Sequence, residues 1–256
     1  MTEPADLPAI LIAAEADKAA GDNGFRDKKP AQGPWHVFGS LTASGTLWLS
    51  APSPAGPWTI AIDHAGVVAE LGVEPVKVPG PGLARYIFPT LGAAYPVLER
   101  IYRLARSLPS FPLTEFEKVA AALPRTTDAE RLVVQRIGQD VFRAALMNYW
   151  HGRCPLTGIA DTALLRASHI VAWAECATDA ERLDVHNGLL LSGLWDLAFD
   201  AGLVSFDDDG QVLVKPALSY EARLSLDVEH ALRLTFNDHH RGYLKRHREQ
   251  YGFSMS

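Results

Sequence analysis

Apolar residues recur at helical spacing in three separate stretches. Leu7, Ile10, Leu11 and Ala14 predict a helix over 7–20, ended by Gly21-Asp22-Asn23-Gly24. Leu98, Ile101, Leu104 and Leu108 share a face of a second, predicted over 95–108 with Pro96 in its first turn. The third runs from about Asp128 to Trp150. Its apolar side is Val133, Ile137, Val141, Ala145 and Tyr149, and Thr127 and Glu130 stand at capping-box spacing. Between the first two, Trp35–Phe38, Thr46–Leu49 and Trp58–Ile62 read as strands, with turn signals at Ser44-Gly45, Pro52, Pro54 and Gly56. Arg26–Pro30 reads as a polar loop, 64–71 as a short helix weakened by Gly66, and Pro79-Gly80-Pro81-Gly82 as another loop.

Past the third helix the runs shorten. One strand ends at His169, a second begins at Asn187-Gly188, and a short helix follows that carries Asp196 and Asp200. Leu203–Phe206 and Gln211–Val214 flank a tight Asp209-Gly210 turn; the three aspartates lack an EF-hand ligand pattern and read as the turn itself. The tail over 239–248 is basic and aromatic. It reads either as a guide for a phosphate backbone or as a solvated helix with Tyr243 and Leu244 packed inward. The predicted class is α+β. A small N-terminal α+β domain over 1–110 is followed by a proline-punctuated connector over 111–127 with one short helix at 115–123. A C-terminal domain spans 128–256.

Composition excludes some classes. With 48% hydrophobic and 21% charged residues the chain can bury a sizeable core. No run of 18 apolar residues exists, so no membrane partner is expected. The opening Met1-Thr2-Glu3-Pro4-Ala5-Asp6 lacks the basic start of a secretory signal, and a cytoplasmic location is expected. Cys154 and Cys176 form no CxxC and read as reduced thiols. A net charge of −6 argues against a broad coat of non-specific nucleic-acid contacts, but not against a site that needs acidic metal ligands. Trp35, Trp48 and Trp58 could pack together or line a pocket for a base. Arg136, Gln139 and Arg143 cluster on the third helix, as a solvated face or as contacts to phosphate and base edges.

The chemistry-bearing residues converge between 166 and 202. Hydrolysis of a phosphodiester needs a base for water, a cation against developing charge, and something to orient the base. His169, Asn187 and Asp196 could supply these, with Asp200 one turn beyond Asp196 on the same helical face. Each also has a plainer reading: a structural histidine, an Asn-Gly turn, an aspartate placed for the helix dipole.

From about Arg136 to Phe253 the chain resembles the HNH endonuclease family, in its zinc-free, restriction-type branch. The residues that carry the resemblance are Arg136-Ile137-Gly138-Gln139, Phe142-Arg143, Cys154-Pro155-Leu156-Thr157-Gly158, Ala167-Ser168-His169-Ile170, Asn187–Ser192 and Ala198–Leu203. The resemblance implies a ββα-metal nuclease domain with flanking helices, DNA as partner, and Mg2+ or Mn2+ as cofactor. It places His169 as general base and Asn187 at the middle position. Asp196 stands where the last histidine of the family falls, and aspartate is a hard oxygen ligand suited to Mg2+. Ser168 stands where many relatives carry a stronger metal ligand, and Asp200 and His186 are further candidates. The positions that often hold structural zinc read Cys154/Thr157 and Ser192/Trp195, so no structural zinc is expected and Leu191, Trp195 and Phe199 must hold the site by packing. Arg136, Gln139, Arg143 and Arg246 are the candidate nucleic-acid contacts. A double-strand break would need a homodimer or two successive nicks. The competing expectation is a DNA-binding module that keeps the fold with weak or no catalysis.

Overall fold

The computed structural model describes residues 7–253 except 122, 125 and 126. The expectation drawn from the N-terminal Met1–Asp6 segment lies outside the described residues. The chain divides into two compact units, Met1–Phe111 and Pro112–Ser256.

The first unit is an antiparallel meander with helices: α1 (Leu7–Asp22), β1 (Asp27–Gln32), β2 (Trp35–Gly39), β3 (Leu47–Ser50), β4 (Trp58–Ile62), α2 (Ala65–Glu70), β5 (Ala84–Phe88) and α3 (Leu91–Ser107), with strand order β1-β2-β3-β4-β5. Two strands depart from the sequence reading. β1, expected as a loop, is fully exposed along its length. Charged residues and Pro30 suit an edge strand, which needs no hydrophobic alternation. β5 buries only Ala84 and Tyr86, and Arg85 leaves it to donate to the carbonyls of Gly80, Pro81 and Gly82. α1 also buries a different face from the expected one. Leu7, Ile10 and Leu11 are exposed, whereas Ala16, Ala19 and Ala20 are fully buried. Small side chains at i, i+3 and i+4 let the helix backbone approach its neighbours closely. Of the three tryptophans, Trp48 and Trp58 are buried and donate to Gln32 and to the Pro54 carbonyl, and Trp35 packs against the cluster around Val37, Trp48 and Ala61. They build the sheet's core.

α4 (Ser110–Ala120) starts at the last two residues of the first unit and belongs mostly to the second. In the second unit follow α5 (Asp128–Tyr149), β6 (Leu165–His169), α6 (Asp179–Arg182), β7 (Gly188–Ser192), α7 (Gly193–Asp200), β8 (Val204–Phe206), β9 (Val212–Val214), α8 (Tyr220–Leu226) and α9 (Asp238–Tyr251). Thr127 and Glu130 close the capping box at the start of α5. The buried face of α5 is Val134, Gly138, Phe142, Ala145 and Leu146, so it is turned by one residue from the expected side, and Val133 is exposed. The turn follows from size: Phe142 and Leu146 pack over Gly188, where a Cβ would stand 2.4 Å from the Phe142 ring and 2.9 Å from Leu146. β6 and β7 pair antiparallel, with His169 opposite Gly188 and Ser168 opposite Leu189. Among the described residues no helix is long and apolar enough to cross a membrane.

Candidate active site

His169 ends β6, and its imidazole is held on three sides. It stacks on Phe142 from α5 at a centroid distance of 3.8 Å and meets the Trp173 ring edge-on at 5.6 Å. Its Nε2 lies 2.9 Å from the carbonyl oxygen of Arg182. A carbonyl only accepts, so Nε2 carries the proton and Nδ1 keeps its lone pair. Burial pushes the His169 pKa down to about 4, although the bond to Arg182 works the other way. The ring is therefore neutral at neutral pH and able to accept a proton.

Asn187 is fully buried, and its side-chain hydrogen bonds go to groups other than His169. Its Oδ1 accepts from the Val171 amide at 2.8 Å. Its Nδ2 donates to the carbonyls of Val171 and Glu181, each at 3.2 Å, and to the Cys176 sulfur at 3.3 Å. Both ends of the loop between β6 and β7 are thus tied to one amide, and the Ile170 amide bonds the Asn187 carbonyl as well. The carbonyl it grips, Glu181, precedes the one that orients His169.

Across β6, Ser168 points to α7. Its hydroxyl, on a residue almost wholly buried, stands 3.4 Å from Asp200 Oδ1 and is near enough to the Asp196 carboxyl to favour its charged form. One hydroxyl proton cannot serve both fully. Burial raises both carboxyls above the usual carboxylate range, and the Asp196 charge raises Asp200 further. Two carboxylates one helical turn apart, Asp196 partly buried and Asp200 exposed, with the Ser168 hydroxyl beside Asp200, form an oxygen donor set that a small divalent cation relieves of its repulsion. No three or more His, Cys, Asp or Glu side chains gather as a metal-holding group among the described residues. A cation here would fill its remaining positions with phosphate oxygens and water.

A cavity of about 360 Å³ opens at this point, lined by Ser168, His169, Trp173, Asp200, Gln250 and Tyr251 among others. Among the described residues no lysine or arginine lines it. Asp196, one turn before Asp200 on α7, is not among the residues that line it.

The other sequence-predicted residues are placed differently. Arg143 donates to the carbonyls of Leu165 and Thr162, both at 2.9 Å, and so ties α5 to the start of β6. Arg246 is ion-paired with Glu181. Arg136 and Gln139 are exposed on α5. His186 is buried beside Asp184 and stacks on His239 at 5.1 Å, away from the cavity wall. Cys154 closes a tight turn through backbone bonds with Ile159 and Gly158. Leu191, Trp195 and Phe199 are buried. Sequence reasoning missed Trp173, the Arg182 carbonyl and the α9 side of the cavity. The first two gave no signal, because a backbone carbonyl has no residue signature and a single tryptophan in a polar loop has no periodicity.

Residues 154–207 match the profile of a family described as HNH endonuclease. This stretch is an HNH endonuclease domain. The HNH domain contains β6, the loop, β7, α7 and β8, hence every candidate catalytic and metal-binding side chain, and it excludes α5 and α9. It implies nuclease activity on a nucleic acid, and HNH nucleases generally use a divalent metal. No curated protein matches the chain.

Proposed function

We propose that the chain is a metal-dependent DNA endonuclease of the restriction or defence type, with His169 as general base. The observation that carries this reading is the neutral His169 ring, with Nε2 committed to the Arg182 carbonyl, in one cavity wall with Ser168 and Asp200. Asp196, Asp200 and the Ser168 hydroxyl would hold Mg2+ or Mn2+. When bound, the cation supplies charge neutralisation at the phosphate and at the leaving oxygen. His169 Nδ1 takes a proton from water, and the oxygen attacks phosphorus in line with the departing 3′ oxygen. The products are 5′-phosphate and 3′-hydroxyl ends. Phe142 and Trp173 keep the ring from turning, and Asn187 holds the loop whose next carbonyl fixes the tautomer. The N-terminal unit, with no catalytic constellation of its own, is assigned to recognition.

The test is nicking of supercoiled plasmid with Mg2+ or Mn2+, wild type against His169→Ala. Loss of about a hundredfold to ten-thousandfold is expected for a missing general base. If wild type leaves the plasmid intact while still retarding it on a gel, the chain is a binding module and the enzyme reading fails.

A further inference from the structure

The cavity wall is not made by the HNH domain alone. Gln250 and Tyr251, at the C-terminal end of α9, stand in it, and α9 begins 31 residues past the matched stretch (238 − 207). Tyr251 is tied in at several points. Its hydroxyl donates to the backbone carbonyl of Asp200 at 2.8 Å, and its ring lies over Gly202. At Gly202, with φ +62°, a Cβ would stand 2.0 Å from the Tyr251 ring, so the ring occupies space that only glycine leaves. The ring also packs against buried His247 at 4.7 Å, and Lys215 donates to the Tyr251 carbonyl. His247 itself stacks on Phe199 of α7 at 4.0 Å and bonds Ser205.

These contacts converge on the last turn of α7. Helix ends fray because their final carbonyls lack partners within the helix. Asp200 is the last residue of α7, and its carboxylate must keep station beside Ser168 and Asp196. The Tyr251 hydroxyl satisfies the Asp200 carbonyl from outside the helix. We propose that Tyr251 is a positioning residue of the nuclease centre: it fixes the C-terminal turn of α7 and thereby the Asp200 carboxylate as a cation ligand. The proposal rests on the nuclease reading above. It adds that α9, outside the family-matched stretch, belongs to the functional unit.

Tyr251→Phe removes the hydroxyl and keeps the ring. The full chain is titrated with Mn2+ by calorimetry in the absence of DNA, and plasmid nicking is followed as a function of Mn2+ concentration. Loss of an outer-shell partner weakens metal binding by on the order of 10-fold. The expected result is that loss by calorimetry, the same shift in the Mn2+ needed for half-maximal nicking, and a nearly unchanged kcat at saturating Mn2+. In an Asp200→Asn background, Tyr251→Phe should have no further effect, whereas a merely structural tyrosine would add its effect there too. Thermal melts of each variant establish that it is folded. Gly202→Ala, which displaces the ring, should weaken Mn2+ binding in the same direction. Wild-type Mn2+ affinity in Tyr251→Phe, or a loss that persists undiminished in Asp200→Asn, overturns the proposal. A wild-type chain that binds no Mn2+ overturns the nuclease reading and the proposal with it, and is told apart because the wild-type titration itself is then flat.

Discussion

The carbonyl oxygen of Arg182 lies 2.9 Å from Nε2 of His169, and the carbonyl just before it, that of Glu181, is gripped by Asn187. His169 and Asn187 bond consecutive carbonyls of one loop and share no hydrogen bond with each other's side chains. The dependence runs through the backbone: Asn187 fixes the loop, the loop presents the acceptor, and the acceptor selects which nitrogen of His169 can take a proton.

Asn187→Ala should therefore have two effects. It leaves the buried Val171 amide and two carbonyls without their partner, at a cost of about 1–3 kcal/mol for each group left unsatisfied. It should also lower kcat by on the order of 10-fold to 100-fold, as loss of an orienting partner does. Mn2+ affinity should hold, because the side-chain hydrogen bonds of Asn187 go to the loop and not to Asp196 or Asp200. Nicking at a temperature where the variant is folded, with parallel Mn2+ calorimetry, checks this. An unchanged kcat would reduce Asn187 to a staple.

The pH behaviour follows from opposite shifts. His169 falls from 6.5 to about 4, so its basic form persists well below the usual histidine range. The acid limb of kcat/KM set by His169 should lie well under pH 6. Asp196 and Asp200 are raised, so proton competition against the metal should begin at a higher pH than for ordinary carboxylates. Stability has its own sign. The folded pKa values of His169 and His247 are both depressed to about 4. The unfolded chain takes up protons below 6.5 and the folded chain does not, so their contribution is complete above about 6.5 and is lost as pH falls toward 4. At about 1.4 kcal/mol per pKa unit the loss is of order 3 kcal/mol for each. The raised carboxyls act in the other direction and offset part of it. Thermal melts from pH 8 to 4.5 should show a steep fall below 6.5; a flat profile would contradict the burial of both rings.

Much of this site was legible in the sequence because its parts are local. His169, Asn187, Asp196 and Asp200 sit within 32 consecutive residues (169 to 200), at the end of one strand, just before the next and on one helix, an order that the apolar runs disclose. Three features were not legible. The buried face of α5 is decided by which large side chains fit over Gly188, a tertiary matter that periodicity places within a residue. β1 carries no apolar alternation because it lies at an edge. The engagement of Arg143 and Arg246 depends on carbonyls and a carboxylate distant in the chain, so a basic residue near the site looked available when it was already bound.

Gly138 gives a sharper test of the aromatic wall. It is buried on α5, and a Cβ there would stand 2.4 Å from the Trp173 ring and 3.4 Å from Phe116. Gly138→Ala gains up to about 1 kcal/mol of helix propensity. Overpacking against a rigid indole costs about 1–3 kcal/mol. The clash should win, so the variant should be less stable, and Trp173 should move from its edge-on contact with His169. Nicking should slow through kcat, with Mn2+ affinity unchanged. A stabilised variant of undiminished activity would show that Trp173 yields freely and does not hold the base.

The cations near the site separate into two kinds, and salt dependence distinguishes them. Arg136 is exposed on α5 and makes no hydrogen bond or ion pair among the described residues. Arg143 is committed to the Thr162 and Leu165 carbonyls. Among the described residues the cavity wall holds no lysine or arginine, so phosphate neutralisation outside the centre is expected from residues such as Arg136. A side chain that neutralises one phosphate contributes a slope of about −0.9 to log K against log salt. Arg136→Ala should therefore weaken DNA binding at low salt and reduce the magnitude of the slope by about one. Arg143→Ala should leave the slope intact and instead lower the melting temperature, because it strips two carbonyls at the start of β6, at about 1–3 kcal/mol for each one buried. Binding is measured with His169→Ala, which keeps the DNA whole, over a series of salt concentrations. Should Arg143→Ala change the slope while Arg136→Ala does not, the surface that meets DNA is not the exposed face of α5.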